Sequence, residues 1–441
     1  MTGKTRRHVL TTAGTLSALT LAGCVSGRVD EDLPFLGGDD APSEVPTENG
    51  DDQPPDTNGA DDNDPTDHDE EELDLPGEAI DDFSDLDQWF PMVGQGNIEA
   101  ATDEVYHGKQ SARIRAEEGV DYAGVYREFH DPLDLTEQNL SLALQYVDQE
   151  MLDVTVQVRA PNSRNYLNHR RVLTGPSGHW MRIDLGANYE ETQPLLDEVR
   201  EIRIVGRRRG TESGPIEFVI DDLRAAPRPD SGAVVLLFDA TLESHYTIGL
   251  EILEEYGFAG VESVTPETVG RSGRLTTDQL REMSEAEWDM IARPRVGGQD
   301  FTEYSVDRQE EMIRGTQTYL LNRGFEDGAD HFFTPRNMIG PEGMELVREY
   351  HETGFRYGGA PNAMPVTDPH NLGHFTARDV DTTESFIDLA EQYHHVAIPR
   401  FEYLGDEGID EATFRRILDH IDQADVDVIT ATELLTDEKW A

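Results

Sequence analysis

The residues able to do chemistry gather where apolar runs end. Asp239 follows the unbroken apolar run 234–238, and His245 and Glu243 stand a few residues beyond it. Arg293 and Arg295 follow the run 289–292, Arg336 follows 332–335, and Arg400 and Glu402 close the stretch 394–402. Carboxylates facing guanidiniums would make an ion-paired cleft that hydrogen-bonds anionic or hydroxyl-rich groups. The alternative is that Arg293–Asp239 and Arg400–Glu402 pairs merely fill the space. His245, on the first turn after the Asp239 loop, is placed to reach that pocket, whereas Glu243 serves equally as a charge at a helix N-terminus. Two histidine pairs invite a metal reading. His370 and His374 flank Gly373 and follow Pro369, which argues against a helix presenting both on one face. His394 and His395 are adjacent, so on a strand they point to opposite faces. Both pairs read as surface or groove residues.

The elements that must position these groups form a strand–helix alternation from residue 230 to 441. The run 234–238 is apolar throughout, as in a strand buried on both faces. Helices are expected at 245–256, 277–284, 306–322, 341–351, 383–392, 411–422 and 431–436. Strands are expected near 260–264, 289–292, 394–399 and 426–430. This order predicts a parallel, barrel-like α/β domain whose chemistry lies at the C-terminal ends of its strands.

Residues 79–229 read differently. Short period-2 runs recur at 111–115, 140–144, 154–158, 181–185 and 202–205, separated by turn signals. That spacing predicts an all-β sandwich. Asp81-Asp82-Phe83 with Trp89, Trp180 before a strand, and the closing Ile220-Asp221-Asp222-Leu223 resemble carbohydrate-binding jelly-roll modules. The competing reading is a spacer sandwich with Trp89 and Trp180 in its core.

Composition bounds the partners. The chain carries 90 acidic and 36 basic residues for a net charge of −54, and its only lysines are Lys4, Lys109 and Lys439. Nothing in that balance neutralises a row of phosphates, so nucleic acid is excluded as a partner. An acidic surface of this kind fits a high-salt environment, where self-repulsion is screened within about 3 Å at ~1 M salt. The single cysteine, Cys24, excludes an internal disulfide framework. Arg6-Arg7, a mildly apolar stretch, and Leu21-Ala22-Gly23-Cys24 together resemble a twin-arginine export signal ending in a lipobox, with Cys24 the lipidated residue. Residues 25–78 are acidic and poor in apolar side chains, and are expected to form a disordered, extended tether.

The last ~200 residues resemble the polysaccharide deacetylase family, carbohydrate esterase family four. The resemblance is carried by Leu236-Leu237-Phe238-Asp239 with Leu253-Glu254-Glu255-Tyr256-Gly257-Phe258. It continues through Leu275–Met283, Glu287-Trp288-Asp289-Met290, Gly324–Phe332 and Asp425-Val426-Asp427-Val428-Ile429-Thr430. It implies metal-assisted removal of an acetyl group from a sugar, a hydrolysis of carbon–nitrogen bonds. The divalent ion, usually zinc, is held by one Asp and two His, with an aspartate as base and a histidine as acid. On that pattern Asp239 stands at the base position. Ala240, Arg293 and Gly297 (or Gly298) stand at the ligand positions and Glu402 at the acid position. Alanine and glycine have no donor, and a guanidinium stays protonated and cannot ligate zinc. The resemblance therefore implies the family's fold and sugar groove with a degraded metal site and no cofactor, and leaves open whether a hydrolysis of carbon–nitrogen bonds is kept. Asp239, His245, Arg293, Arg336 and Glu402 remain as groove candidates. The domain order expected is signal 1–24, tether 25–78, sandwich 79–229 and barrel 230–441. The partners expected are cell-surface polysaccharide and, through Cys24, the outer face of the membrane. The alternative is a non-catalytic glycan-binding or scaffold lipoprotein.

Overall fold

The computed structural model describes residues 73–441 apart from 211, 212, 407, 438 and 441. The twin-arginine segment, Cys24 and the tether up to residue 72 lie outside the described residues. The alternating segments pair into two six-stranded antiparallel sheets. One runs Asn97–Ala101, Ser111–Ala116, Ile216–Pro227, Gln138–Tyr146, Met181–Leu185, with Glu78–Asp81 also on Ile216–Pro227. The other runs Ala187–Glu191, Tyr166–Leu173, Met151–Arg159, Val199–Arg209, Ala123–Leu133, Trp89–Pro91. Period 2 sorts each strand: Leu140, Leu142 and Leu144 enter the core between the sheets, whereas Asn139 and Ser141 leave it. Trp89 is core, stacked on Phe83 with its indole N–H donating to Asp81 at 2.7 Å. Trp180 is half-buried against Tyr106.

The following segment closes a seven-stranded parallel barrel: β1 (Leu237–Phe238), β2 (Val261–Val264), β3 (Asp289–Ala292), β4 (His331–Phe333), β5 (Thr353–Tyr357), β6 (Leu372–Thr376) and β7 (Pro399–Phe401). Leu237, Val261, Ile291, Phe333, Phe355, Leu372 and Ile398 fill its interior. Phe238, Met290, Phe332 and Phe401 face outward onto helical residues such as Leu253, Met283, Ile313 and Ile417. The expected helices are present as Glu251–Tyr256, Thr277–Glu285, Val306–Leu321, Pro341–Tyr350, Val380–Tyr393, Glu411–Gln423 and Ala431–Thr436, the first entered through a π turn at His245–Leu250. Strands β4 to β6 are the ones the sequence pattern leaves out. Gly373 sits inside β6, where it reads as a turn residue, because Arg171 of the sandwich presses on it. A Cβ there would lie 1.6 Å from the Arg171 guanidinium.

Sandwich and barrel thus share a buried polar seam. Arg171 donates to the Asn362 side chain at 2.7 Å and to the Asn371 side chain at 3.0 Å. Thr367 donates from its backbone N–H to Asp184 at 3.1 Å and from its hydroxyl at 2.5 Å. The Ala187 N–H donates to His395 Nδ1 at 3.1 Å, which fixes the other nitrogen as the donor to Asn139 at 3.1 Å. His395 is therefore held neutral, and burial, with His169 nearby, depresses it well below the usual histidine range. Burial also takes His169 down to about 4.

A histidine whose folded value is depressed binds fewer protons folded than unfolded, so its stability contribution falls as pH drops from about 6.5 toward 4. Asp184, raised by burial to about 6, acts in the opposite sense over the same range but is one group against two. The melting temperature is expected to fall by several degrees between pH 7 and pH 5. His395→Gln, which keeps both hydrogen bonds without a titrating ring, should show a smaller fall. An identical fall in both proteins would contradict the seam as the acid-sensitive element.

Candidate functional site

Strand periodicity builds the site. Two residues beyond the interior layer of the barrel stand Asp239, Ser263, Arg293, Tyr357, His374 and Arg400, each projecting inward at the C-terminal mouth. The contacts bear this out. The Arg293 Nε lies 2.8 Å from one Asp239 oxygen and the Arg400 Nη1 2.8 Å from the other, while Ser263 donates its hydroxyl to Asp239 at 2.9 Å. Arg293 is held in turn by its hydrogen bond to the Thr265 hydroxyl at 3.0 Å and lies over the Phe333 ring. Burial alone would raise the Asp239 carboxyl, but Arg293, Arg400 and Ser263 outweigh it and hold it at about 2. The drop from 3.8 amounts to about 2 kcal/mol favouring the ionised, clamped form. That stability is present above the ordinary carboxylate range and is lost as pH falls through about 2.

The loop after Asp239 is strained and pinned. Ala240 and Thr241 have φ of 86° and 56°, in the region L-residues seldom adopt. Thr241 donates from its N–H to Glu262 at 2.9 Å and from its hydroxyl to the Ser263 carbonyl at 3.1 Å, and its oxygen accepts from Thr265 N–H at 2.8 Å. Arg274 donates to the Ala240 carbonyl. Behind the loop, His245 is fully buried. Its Nε2–H donates to the Glu402 carbonyl at 2.5 Å, and its Nδ1 shares a proton with Glu262 across 2.6 Å. Burial opposes charge on His245, but Glu262 more than restores it and leaves it raised; burial raises Glu262. His245 is thus a buttress of the Asp239 loop, not a groove residue.

The other expected residues divide. Arg400 goes to Asp239 rather than to Glu402, whose carboxylate is 3.8 Å from Arg400 and 3.5 Å from Arg378. Arg336 is not brought to the cluster. It takes a left-handed φ of 52° and turns outward to Asp300, at 3.2 Å, and to the Gly297 carbonyl, at 2.9 Å. Arg295 is exposed, and the Gly297 N–H donates to the Tyr304 hydroxyl. His374, read from sequence as a surface or groove residue, is fully buried and stacked on Phe333. The Asn337 side-chain oxygen accepts both the Tyr357 N–H, at 3.1 Å, and His374 Nε2, at 2.9 Å. Nε2 therefore carries the proton. Burial, reinforced by Arg400, keeps His374 neutral. Ser263, Glu262 and His374 were missed; a polar residue two positions after an interior apolar one was the signal for Ser263 and His374.

A divalent metal does not fit this mouth. Both Asp239 oxygens face guanidiniums, Ala240 supplies no donor, and a cation beside Asp239 would meet two positive charges. Among the described residues, no three His, Cys, Asp or Glu side chains are grouped so as to hold a metal ion.

A second feature lies on the exposed face of the Ala187–Glu191 sheet. Strand register puts Tyr189, Asn168, Gln157, Arg203, Tyr126 and Phe90 in one row across all six strands. At ~4.8 Å per strand the row spans roughly 24 Å. Tyr189 and Phe90, at its two ends, are 46% and 47% exposed.

No protein-family model matches the chain, and no curated protein matches it. Its structural neighbours include family 4 carbohydrate esterases and carbohydrate-binding jelly rolls. A family 4 acetyl xylan esterase from Clostridium thermocellum, in complex with cobalt, is 15% identical over 46% of this chain and 90% of its own, with a TM-score of 0.34. A Streptococcus pyogenes deacetylase in complex with acetate is 14% identical over 42% and 69%, with a TM-score of 0.29. A family 11 carbohydrate-binding module from Clostridium thermocellum, in complex with a mixed-linked tetrasaccharide, is 13% identical over 35% and 96%, with a TM-score of 0.27. Likeness this low transfers no role to any residue.

Removing one guanidinium should free the carboxylate in a measurable way. In Arg400→Gln the Asp239 carboxyl is expected to rise by a unit or more from about 2, followed by side-chain carboxyl NMR. In the Arg293→Gln, Arg400→Gln double variant a buried carboxylate loses both partners, a cost of about 3–5 kcal/mol in thermal unfolding. An unmoved carboxyl would contradict the clamp.

Proposed function

We propose that this chain is a non-hydrolytic polysaccharide-binding protein of the cell surface, a polysaccharide deacetylase-like barrel joined to a carbohydrate-binding-like sandwich and anchored outside the membrane through lipidated Cys24. The observation that carries the reading is the occupation of both Asp239 oxygens by Arg293 and Arg400. A general base works best with a value near the operating pH. Asp239, held at about 2 with a guanidinium beside each oxygen, is far too weak a base to take a proton from water near neutrality. The residues at the ligand and acid positions of the resembling family offer no replacement. What the fold retains is polar, aromatic-edged surface suited to sugars: rings to lie against sugar faces, and amides and guanidiniums to meet hydroxyls. The six-strand row on the sandwich is the longest such track, and the barrel mouth is closed by its own ion pairs.

Purified full-length protein, assayed in high salt, is expected to release no acetate from acetylated xylan or chitooligosaccharide, with or without added zinc. It should nonetheless co-sediment with insoluble cell-surface polysaccharide. Zinc-stimulated acetate release would overturn the reading.

A further inference from the structure

We infer that the face of the sandwich around this row selects an acidic polysaccharide, with anionic groups of the sugar chain meeting Arg203 in the row and Arg159 in the adjoining register. This rests on the glycan-binding reading above and names the class of glycan. Twice on this one face, two guanidiniums share a single carboxylate. Arg203 pairs with Glu201 and Arg159 stands 3.7 Å from the same oxygen. Arg170, at 2.8 Å, and Arg209, at 3.2 Å, share one oxygen of Asp153. Glu128, the cross-strand partner of Glu201, offsets the first group, but Arg200 lines the same cavity, so Arg159, Arg200 and Arg203 stand against Glu128 and Glu201 in a chain whose net charge is −54. Burial and then the neighbouring Arg203 depress Arg159, the electrostatic mark of a cation crowded by another. Glu191 stands at the far margin of this face, opposite Tyr166.

The surroundings match a sugar chain better than a small ion. Arg159 lies over Tyr166 and Arg203 over Tyr126, each 6.0 Å from the ring centre. The rings thus bracket the guanidiniums along the strand-crossing direction. Gln157 stands between them, its amide donating to the buried Asn168 side chain at 2.9 Å. A cavity of about 270 Å³ opens beside the row, lined by Arg159, Arg200, Asn162, Ser163, Glu128 and Glu201 among others. A carboxylated sugar unit would place its ring against an aromatic side chain and its carboxylate between two guanidiniums. Direct contacts of this kind persist when salt screens longer-range attraction.

The test is calorimetric titration of the full chain, in high salt, with polygalacturonate and with the same polymer after reduction of its carboxyl groups. Tighter binding of the charged polymer by tenfold or more is expected. The Arg159→Gln, Arg203→Gln variant should lose that preference. Glu201→Gln, which removes the competing carboxylate, should tighten polygalacturonate binding several-fold, a direction that misfolding cannot produce. Equal binding of both polymers would overturn the acidic-glycan inference and leave the glycan-binding reading standing. Binding of neither would overturn both. Undiminished preference in the double arginine variant, or no tightening in Glu201→Gln, would overturn the assignment to this row.

Discussion

At the mouth of the barrel, one buried carboxylate is gripped by two guanidiniums from different strands, and the local structure is arranged around that fact. A charge taken out of water is costly unless it is paired and hydrogen-bonded. Asp239 meets the condition through Arg293, Arg400 and Ser263. The arginines need their own support, which Thr265 and Phe333 give to Arg293. The Asp239 loop turns through positive φ at Ala240 and Thr241, and the buried His245–Glu262 pair holds that turn from behind. Each part is intelligible as a requirement of the ion triplet, and together they hold the carboxylate ionised, with a positive charge beside each oxygen.

The seam with the sandwich extends the same logic. Arg171 reaches out of the sandwich and presses on Gly373, at the foot of the strand segment that carries His374 into the mouth. The interface joins buried apolar contacts of Leu167 and Ala187 to hydrogen bonds, with Asp184, His395 and Asn139 each bonded across it. Such a seam fixes geometry because its hydrogen bonds are directional and each joins a specific pair of groups. The surface offered to solvent is then the opposite face of the sandwich, where guanidiniums again outnumber the carboxylates they share.

Much of this was legible in the sequence. The alternation of apolar runs gave the sandwich and most barrel elements, because period 2 and period 3.6 are strong where strands and helices are long. The Arg293–Asp239 pair could be anticipated from the two strand ends. Other features were hidden for physical reasons. Strand β6 is interrupted by a glycine that exists to admit Arg171, so its local pattern resembles a turn and His374 is misplaced with it. Arg400 could be paired with its near neighbour Glu402, but β7 ends at Phe401, so Glu402 lies past the strand and Asp239 is closer to Arg400. Arg336 looked like a cleft residue, yet a left-handed backbone angle turns it to Asp300. Glu262 lies in the short strand β2 beside Ser263, and its buried partner His245 is seventeen residues away.

Each oxygen of Asp239 meets a guanidinium, which leaves the carboxylate unsuited to holding a divalent metal. Zinc titration of the purified, metal-stripped full chain, followed by calorimetry and by elemental analysis after dialysis, tests this most directly. The account predicts no stoichiometric retention of zinc. One equivalent of zinc held by the chain, and lost in Asp239→Asn, would contradict it.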